Sequence, residues 1–304
     1  MVKRQIVFLA AVFLLVFLFG CGGVEPYNTA YLIKDVSPPD AAGYYTCDYN
    51  GVERKFMLYI PETAEENAPL VFLLHGYSSN SKSFMDYTGM NNVAQRYGYA
   101  VVYPQGIRDP ANSVGGTSWN SGLSSTGNDD TGFLVSLAHY LQQTHGFHSR
   151  QTFAAGFSNG AFMMYRLATQ APDTFRAVAS VAGSMSGGAW DERSVSASVG
   201  ILQINGTKDD LVPISGLSPA GRRYGNAPTI DGVIEYWKDA NGLDEFEESK
   251  LSATATAYRY WDKSNNNLVW YIEIEDGHHS WPQEDIAGFN TNEVILDFFS
   301  NYVD

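Results

Sequence analysis

The chain is poor in cysteine and in basic residues. Only Cys21 and Cys47 are cysteines among its 304 residues, so at most one disulfide could form and a packed core has to supply the stability. Lysine and arginine total 19 against 33 aspartates and glutamates, which gives a formal net charge of −14. Because a nucleic-acid partner requires a basic surface, this balance argues against nucleic-acid binding.

Apolar residues, in contrast, are abundant. Hydrophobic residues make up 44% of the chain and aromatic residues 14%, which suits a packed core and is wrong for a disordered protein. An almost unbroken apolar run at residues 6–19 follows Lys3 and Arg4. This run is short for a membrane span, and a positive segment followed by a short apolar run is typical of a signal peptide.

The end of the apolar run has its own signature. Residues 18–21 read Leu-Phe-Gly-Cys, which resembles the lipobox of bacterial lipoproteins. The resemblance implies cleavage before Cys21, acylation of its thiol and a membrane-anchored protein outside the cytoplasm, whereas an ordinary signal peptide with an incidental cysteine is the alternative. We predict a signal peptide at residues 1–20, a tether at 21–41 and one catalytic domain at 42–304. Cys47 would then be a buried, unpaired thiol.

Strand-like and helix-like segments alternate through the predicted domain. Two strands flank Asn50-Gly51, a pair that favours a hairpin turn. The apolar run at residues 69–74 predicts a buried parallel strand, and a helix over about residues 83–97 follows it. The alternation predicts an α/β fold with a mostly parallel twisted sheet, helices on both faces and an N-terminal antiparallel hairpin.

The pentapeptide GFSNG at residues 156–160 matches the pattern Gly-x-Ser-x-Gly. A lone match carries little weight, but an apolar strand precedes this one and a helical pattern follows it. Glycines at both ends permit the sharp turn that lifts a serine hydroxyl out of the sheet. Ser158 is therefore a candidate nucleophile.

A serine nucleophile needs a base and an orienting acid, which follow it along the chain in doubly wound hydrolases. Asp209 and Asp210 lie in the loop after one later strand, and His278 and His279 in the loop after another. Adjacent side chains on an extended chain point in opposite directions, so one member of each pair can face the serine. The residues alone leave the choice within each pair open. The same divergence argues against a metal site at the two histidines.

Two backbone N–H groups could form an oxyanion hole, those of Asn159 at the start of the helix and of Tyr77 after the first buried strand. His75 could in addition cap the turn at that strand end. Residues 105–128 form a long polar loop that we expect to reach over the site. In it, Trp119 would offer an apolar face and Asn120 a hydrogen bond to substrate, with burial of Trp119 in the core as the alternative.

Six spaced motifs follow one another along the chain: HGYSSN, SWN, DDTGF, GFSNGAFMMYRLA, NGTKDDLVP and GHHSWP. In this order the chain resembles the secreted polyhydroxybutyrate depolymerase and feruloyl esterase group of α/β-hydrolases, over about residues 55–285. The resemblance implies an α/β-hydrolase fold and esterase chemistry with no metal or other cofactor. It assigns the acid to Asp209 and the base to His279, with Trp281 beside the site. Many relatives have a cysteine where this chain has Tyr77, so the disulfide that some carry there is absent.

The expected function is that of an extracytoplasmic serine carboxylester hydrolase. Feruloyl or acetyl esters on plant polysaccharide are the first expectation for the substrate, and polyhydroxybutyrate or a similar polyester is the alternative. A lipid-anchored binding protein on an inactive esterase scaffold is a third possibility. The expected substrate-binding residues are Trp119, Asn120 and Trp281.

Overall fold

The structure is a computed structural model that describes residues 33–108, 116–123, 127–193, 198–217, 226–263 and 265–303. Cys21 and parts of the long polar loop lie outside these ranges. The strands are β1 Ile33–Lys34, β2 Tyr45–Tyr49, β3 Val52–Tyr59, β4 Leu70–Leu74, β5 Ala100–Gln105, β6 Ile107–Arg108, β7 Thr117–Ser118, β8 Thr152–Phe157, β9 Ala177–Val181, β10 Gly200–Gly206, β11 Glu245–Lys250, β12 Ala255–Asp262 and β13 Asn265–Ile274. The helices are α1 Ser81–Thr88, α2 Met90–Tyr97, α3 Asp130–His145, α4 Asn159–Gln170, α5 Gly187–Asp191, α6 Ile230–Ala240, α7 Glu284–Ala287 and α8 Thr291–Ser300.

Most strands belong to one large sheet with a parallel centre. Among the described residues the sheet has eleven strands in the order β1-β2-β3-β5-β4-β8-β9-β10-β13-β12-β11. The neighbours from β5 to β13 run parallel, whereas the pairs at both ends of the sheet are antiparallel. The predicted mostly parallel sheet with an N-terminal antiparallel hairpin is confirmed. Its parallel strands bring their carboxyl ends, and the loops that follow them, to one side.

Both faces of the central strands are buried. In β4, Leu70, Phe72 and Leu74 belong to one core cluster, whereas Val71 and Leu73 belong to the other, as the pleat of a strand requires. This two-sided burial explains why β4 is a continuous apolar run. Helices α3, α4 and α6 pack on the first side, called here the α4 face, and α1, α2 and α8 on the second, the α8 face.

Glycine and asparagine set two of the local boundaries. Asn50 and Gly51 both have positive φ, 52° and 79°, which is what a two-residue type I′ hairpin turn requires, and the predicted hairpin is confirmed. The helix predicted over residues 83–97 is instead two helices, because Gly89 at φ 63° and ψ 21° ends α1 and begins α2. Glycine reaches this left-handed conformation without a steric penalty, so it can reset the chain direction there.

The two edge strands of the sheet differ in character. Ile33 is buried and β1 pairs with β2, so the sheet begins within the segment that the sequence analysis assigned to the tether. β11, at the opposite end of the sheet, has the charged sequence EFEESK and is largely exposed.

Cys47 in β2 is a buried free thiol, as predicted, and burial raises its pKa to about 11. Over the described ranges, no helix has both the length and the apolar composition to cross a membrane.

Candidate active site

Ser158 occupies a sharp turn between β8 and α4. Its φ of 54° and ψ of −115° are unusual for a residue with a side chain, which marks the turn as strained. The flanking glycines are required by close packing: a Cβ on Gly156 would lie 2.4 Å from the Gly160 carbonyl carbon, and one on Gly160 would lie 2.3 Å from the Leu74 oxygen. The turn therefore lifts a partly exposed Ser158 above the carboxyl ends of the strands.

Three side chains form a hydrogen-bonded row at this turn. Ser158 Oγ lies 2.9 Å from His279 Nε2, and His279 Nδ1 lies 2.7 Å from Asp209 Oδ2. A carboxylate accepts hydrogen bonds, so this arrangement suits an imidazole with its proton on Nδ1, which leaves Nε2 to accept the serine proton. The row has the connectivity of a nucleophile, a general base and an orienting acid.

The loops after β10 and β13 select one member of each candidate pair. The side chain of Asp209 is buried, and its Oδ1 accepts hydrogen bonds from the N–H groups of Leu211 at 2.9 Å and Val212 at 2.8 Å. Asp210 and His278 are exposed to solvent. Asp209 and His279 are thus the members brought to Ser158, in agreement with the resemblance, and their catalytic roles stay a prediction.

Trp281 follows His279 by two residues but does not face a substrate. It is 1% exposed, its indole N–H donates to Asn292 Oδ1 at 3.2 Å, and its main-chain N–H donates to the Tyr87 hydroxyl at 3.2 Å. Its ring packs edge-on against Phe84, with the centroids 5.5 Å apart. The expectation that Trp281 binds substrate is corrected here, since its polar atom and its ring are both satisfied inside the α8 face.

The base itself rests on an aromatic ring. The ring centroid of Phe157 is 5.1 Å from that of His279, and Phe84 stacks on Phe157 at 6.4 Å. Sequence reasoning missed this contact. The middle position of Gly-Phe-Ser lies one residue from the nucleophile, and its aromatic character was the signal available.

The two predicted oxyanion donors lie on separate elements that meet at Ser158. Asn159 is the first residue of α4, where backbone N–H groups have no partner within the helix. Gly76 is packed against the turn, because a Cβ there would be 3.3 Å from Ser158 Cβ and 3.1 Å from the Phe157 ring. The Tyr77 N–H belongs to the peptide unit that follows, so both backbone groups border the serine.

His75 is fully buried behind this peptide unit. Its Nδ1 is 2.7 Å from the Gly76 oxygen, and its Nε2 accepts from the Gly106 N–H at 3.0 Å, which places the ring proton on Nδ1. The side-chain amide of Gln105 also lies 3.0 Å from Nε2. Burial lowers the pKa of His75 to about 4, because a charged ring would lose its hydration there. The capping interpretation of His75 agrees with these contacts.

Trp119 and Asn120 are also structural rather than substrate-facing. Trp119 is 1% exposed and belongs to the core of the α4 face, so its alternative interpretation as a core residue is the correct one. Asn120 donates through its main chain to Asp130 Oδ2 at 2.7 Å, and its side-chain oxygen accepts from Arg166 at 2.9 Å. Asp130 pairs with buried Arg54, so the segment is bound to the core through ionic groups. The remainder of the predicted loop, residues 109–115 and 124–126, lies outside the described residues.

Two exposed apolar side chains do lie next to site residues. Tyr77 is 42% exposed directly after Gly76, and Leu211 is 47% exposed two residues after Asp209. Among the described residues, Tyr87, whose hydroxyl accepts from the Trp281 N–H, is exposed to a similar degree at 47%. In the part of the chain that the structure describes, no group of three or more His, Cys, Asp or Glu side chains could hold a metal ion.

Comparisons with known proteins place the chain in an esterase family. It belongs to the family described as esterase PHB depolymerase, whose sequence model matches residues 54–235. The protein NocK of Nocardia uniformis subsp. tsuyamanensis is 29% identical over 237 residues, which cover 71% of this chain and 66% of NocK. Feruloyl esterase B of Talaromyces funiculosus is 26% identical over 126 residues, which cover 41% of this chain and 35% of that protein. The chain thus spans less than two thirds of either relative.

A solved structure defines the fold class. The acetyl xylan esterase from Aspergillus awamori superposes with a TM-score of 0.59 at 15% identity, covering 82% of this chain and 94% of that one. At such identity the likeness concerns the fold alone. The protein has an α/β-hydrolase fold, as the resemblance implied.

Proposed function

We propose that the protein is a serine carboxylesterase in which Ser158 is the nucleophile, His279 the general base and Asp209 the orienting acid. The observation that carries the proposal is the row of hydrogen bonds at 2.9 and 2.7 Å that ends on a serine in a strained turn. Membership of an esterase family supports the same reaction class.

The reaction follows the acyl-enzyme route. Ser158 Oγ attacks the ester carbonyl carbon while His279 Nε2 takes the hydroxyl proton, and the imidazolium that forms is stabilised by Asp209. The carbonyl oxygen becomes an oxyanion, which accepts hydrogen bonds from the N–H groups of Tyr77 and Asn159. The intermediate collapses, the C–O bond to the alcohol breaks, and His279 gives the alcohol its proton.

Water completes the cycle. It is deprotonated by His279 and attacks the acyl-enzyme, and collapse of the second intermediate releases the acid and returns the proton to Ser158. No group outside this set is needed to balance the reaction.

Replacement of the serine tests this assignment. Ser158→Ala should lower hydrolysis of p-nitrophenyl acetate by ~10⁴-fold or more, leaving the residual catalysis of the oxyanion hole. A variant that keeps a tenth of the wild-type rate would refute Ser158 as nucleophile. A wild-type protein that does not hydrolyse this ester at all would favour the inactive binding protein instead.

For the substrate we propose acetyl or feruloyl esters of plant polysaccharide. The choice is supported by the relative feruloyl esterase B of Talaromyces funiculosus and by the shared fold of the acetyl xylan esterase from Aspergillus awamori. A polyester such as polyhydroxybutyrate is the second candidate, which the description of the family favours. Hydrolysis rates on methyl ferulate, acetylated xylan and short polyhydroxybutyrate chains, measured side by side, decide between them.

We also propose that the catalytic domain is held outside the cytoplasm by a lipid on Cys21. The positive segment, the short apolar run and the Leu-Phe-Gly-Cys sequence support this location. Two or more acyl chains suffice for firm membrane anchoring, whereas one chain gives weak binding. Mass spectrometry of the native N-terminus tests the proposal: an unmodified cysteine or a cleavage elsewhere would refute it.

A further inference from the structure

The predicted oxyanion hole has two halves that are far apart along the chain. The Tyr77 N–H follows β4, and the Asn159 N–H begins α4. An oxyanion hole works only if its donors are held at the position where the charge develops, before the reaction occurs. The question is what fixes one half relative to the other.

Trp119 contacts both halves. Its indole N–H donates to the His75 carbonyl at 3.0 Å, one peptide unit before the one that carries the Tyr77 N–H. Its main-chain N–H donates to Asn159 Oδ1 at 2.7 Å, and Asn159 Nδ2 donates back to the Trp119 carbonyl at 3.3 Å. The side chain of Asn159 thus grips the main chain of Trp119, while the main chain of Asn159 offers its N–H to substrate.

His75 extends this link to the donor itself. A peptide unit is planar and trans, so its C=O and N–H point in opposite directions. The His75 ring is 2.7 Å from the Gly76 carbonyl, which shares its peptide plane with the Tyr77 N–H. Holding that carbonyl from one side aims the N–H to the other. Trp119 also holds the carbonyl of His75, so it is linked through His75 to the peptide plane that carries the Tyr77 N–H. The hydrogen-bonded link between His75, Trp119 and Asn159 is called the strut below.

The surroundings allow little slack. The neighbouring Thr117 carbonyl accepts from the Ser78 N–H at 2.8 Å, so the strand before Trp119 also grips the loop after β4. Asn159 Nδ2 donates in addition to Ser121 Oγ at 2.9 Å. His75, Trp119, Ser121 and Asn159 are themselves buried, so a hydrogen bond lost among them is not replaced by water.

We propose that Trp119 is a positioning residue that ties the two halves of the oxyanion hole together. The inference rests on the proposed function, because it needs Ser158 as the nucleophile. It assigns to Trp119 no contact with substrate, so its removal should act on the transition state of every ester alike.

Trp119→Phe tests the strut, because it removes the indole N–H and keeps most of the ring. We expect kcat to fall roughly tenfold, less than loss of a whole donor, with KM within about twofold for both p-nitrophenyl acetate and methyl ferulate. Binding of a boronic acid, which forms a tetrahedral adduct on the serine, should weaken by the same factor.

Trp237→Phe is the matched control. Trp237 is fully buried on the same face in α6, and its indole N–H has no hydrogen-bond partner among the described residues, so the change removes packing alone. Its kcat and boronic acid affinity should stay at wild-type values even if its melting temperature falls. Asn159→Ala removes the strut from its other end and should reproduce the signature of Trp119→Phe, and it carries the test if Trp119→Phe does not fold.

Labelling with a fluorophosphonate separates the two ways of failing. If mass spectrometry finds the label on a residue other than Ser158, the proposed function is wrong. If Ser158 is labelled but Trp119→Phe keeps its kcat and its boronic acid affinity, the strut alone is overturned. An increase in KM confined to methyl ferulate would also overturn it, since that result places Trp119 in the substrate pocket.

Discussion

Two buried tryptophans flank the candidate site, one on each face of the sheet. Trp119 belongs to the core of the α4 face and Trp281 to that of the α8 face, and both are 1% exposed. The indole of Trp119 donates to a main-chain carbonyl, that of His75, whereas the indole of Trp281 donates to a side chain, that of Asn292. Trp119 therefore fixes the main chain after β4, whereas Trp281 fixes the loop that carries His279.

The difference follows from the kind of group that each tryptophan helps to position. The oxyanion donors are backbone groups, so their support has to grip peptide units directly. The base is a side chain, and its support is indirect: Trp281 anchors the His279 loop and packs through Phe84 against Phe157, which lies under the imidazole. The core of the α4 face therefore positions the oxyanion donors, and the core of the α8 face positions His279. The two sets of groups meet at Ser158.

The largest effects should fall on the base side and should distinguish adjacent residues. Asp209→Asn should lower kcat by about 10⁴-fold, because an amide no longer selects the productive imidazole tautomer. Asp210→Asn should stay within about twofold, since that side chain is exposed. Steady-state kinetics on p-nitrophenyl acetate checks the pair.

His279→Ala and His278→Ala give the same contrast for the base. If Asp210 or His278 proved the more sensitive residue, the register of both loops would have to be revised.

Acid should destabilise the fold through the buried ring of His75. An unfolded chain protonates His75 below about pH 6.5, whereas the folded protein does so only below about pH 4. Between these values the unfolded state binds more protons, so stability falls as the pH drops, by about 2 to 3 kcal/mol at pH 4.5.

Urea unfolding at pH 7 and pH 4.5 measures this loss. In His75→Asn the contribution of the ring is absent, so the drop in the free energy of unfolding should be smaller by that amount. An equal drop in the variant and the wild type would show that the acid sensitivity arises elsewhere.

Among the variants expected to lower activity, Trp281→Phe should have the smallest effect. Its ring would still pack on Phe84, and only the bond to Asn292 is lost, so we expect kcat to fall by about threefold to tenfold through a slightly displaced His279. Boronic acid affinity should change less than in Trp119→Phe, because the oxyanion donors stay in place. The comparison of the two faces would fail if both tryptophan variants gave the same pattern in kcat and in inhibitor affinity.

The sequence was most informative where local chemistry determines the structure. The hairpin at Asn50-Gly51 needs two positive φ angles, and the turn at Ser158 needs flanking glycines, so both are written in a few adjacent residues. The parallel sheet follows from apolar runs such as β4. Of the site, the row of Ser158, Asp209 and His279 was predicted as a juxtaposition, although the choice within each pair required the family resemblance.

The remaining features depend on contacts that are distant along the chain. Trp119 lies in a segment rich in glycine, serine and asparagine, and its partners His75 and Asn159 are 44 and 40 residues away, so the local sequence left burial and substrate contact open as alternatives. Trp281 is fixed by Asn292 and Tyr87 in the same way. The break at Gly89 was missed because a single glycine in a helical pattern is compatible with either one helix or two.

The charges of the edge strand β11 bear on whether two molecules of this protein can pair edge to edge. Among the described residues β11 has no partner strand on its outer side, and such open edges in many proteins template pairing with a second copy. Here Glu245, Glu247 and Glu248 would bring like charges together in such a pairing, which is unfavourable. Neighbouring molecules would repel along this strand instead of polymerising. The screening length for such repulsion is about 8 Å at physiological ionic strength and becomes shorter as salt is added. Self-association through β11 should therefore appear first at high salt concentration.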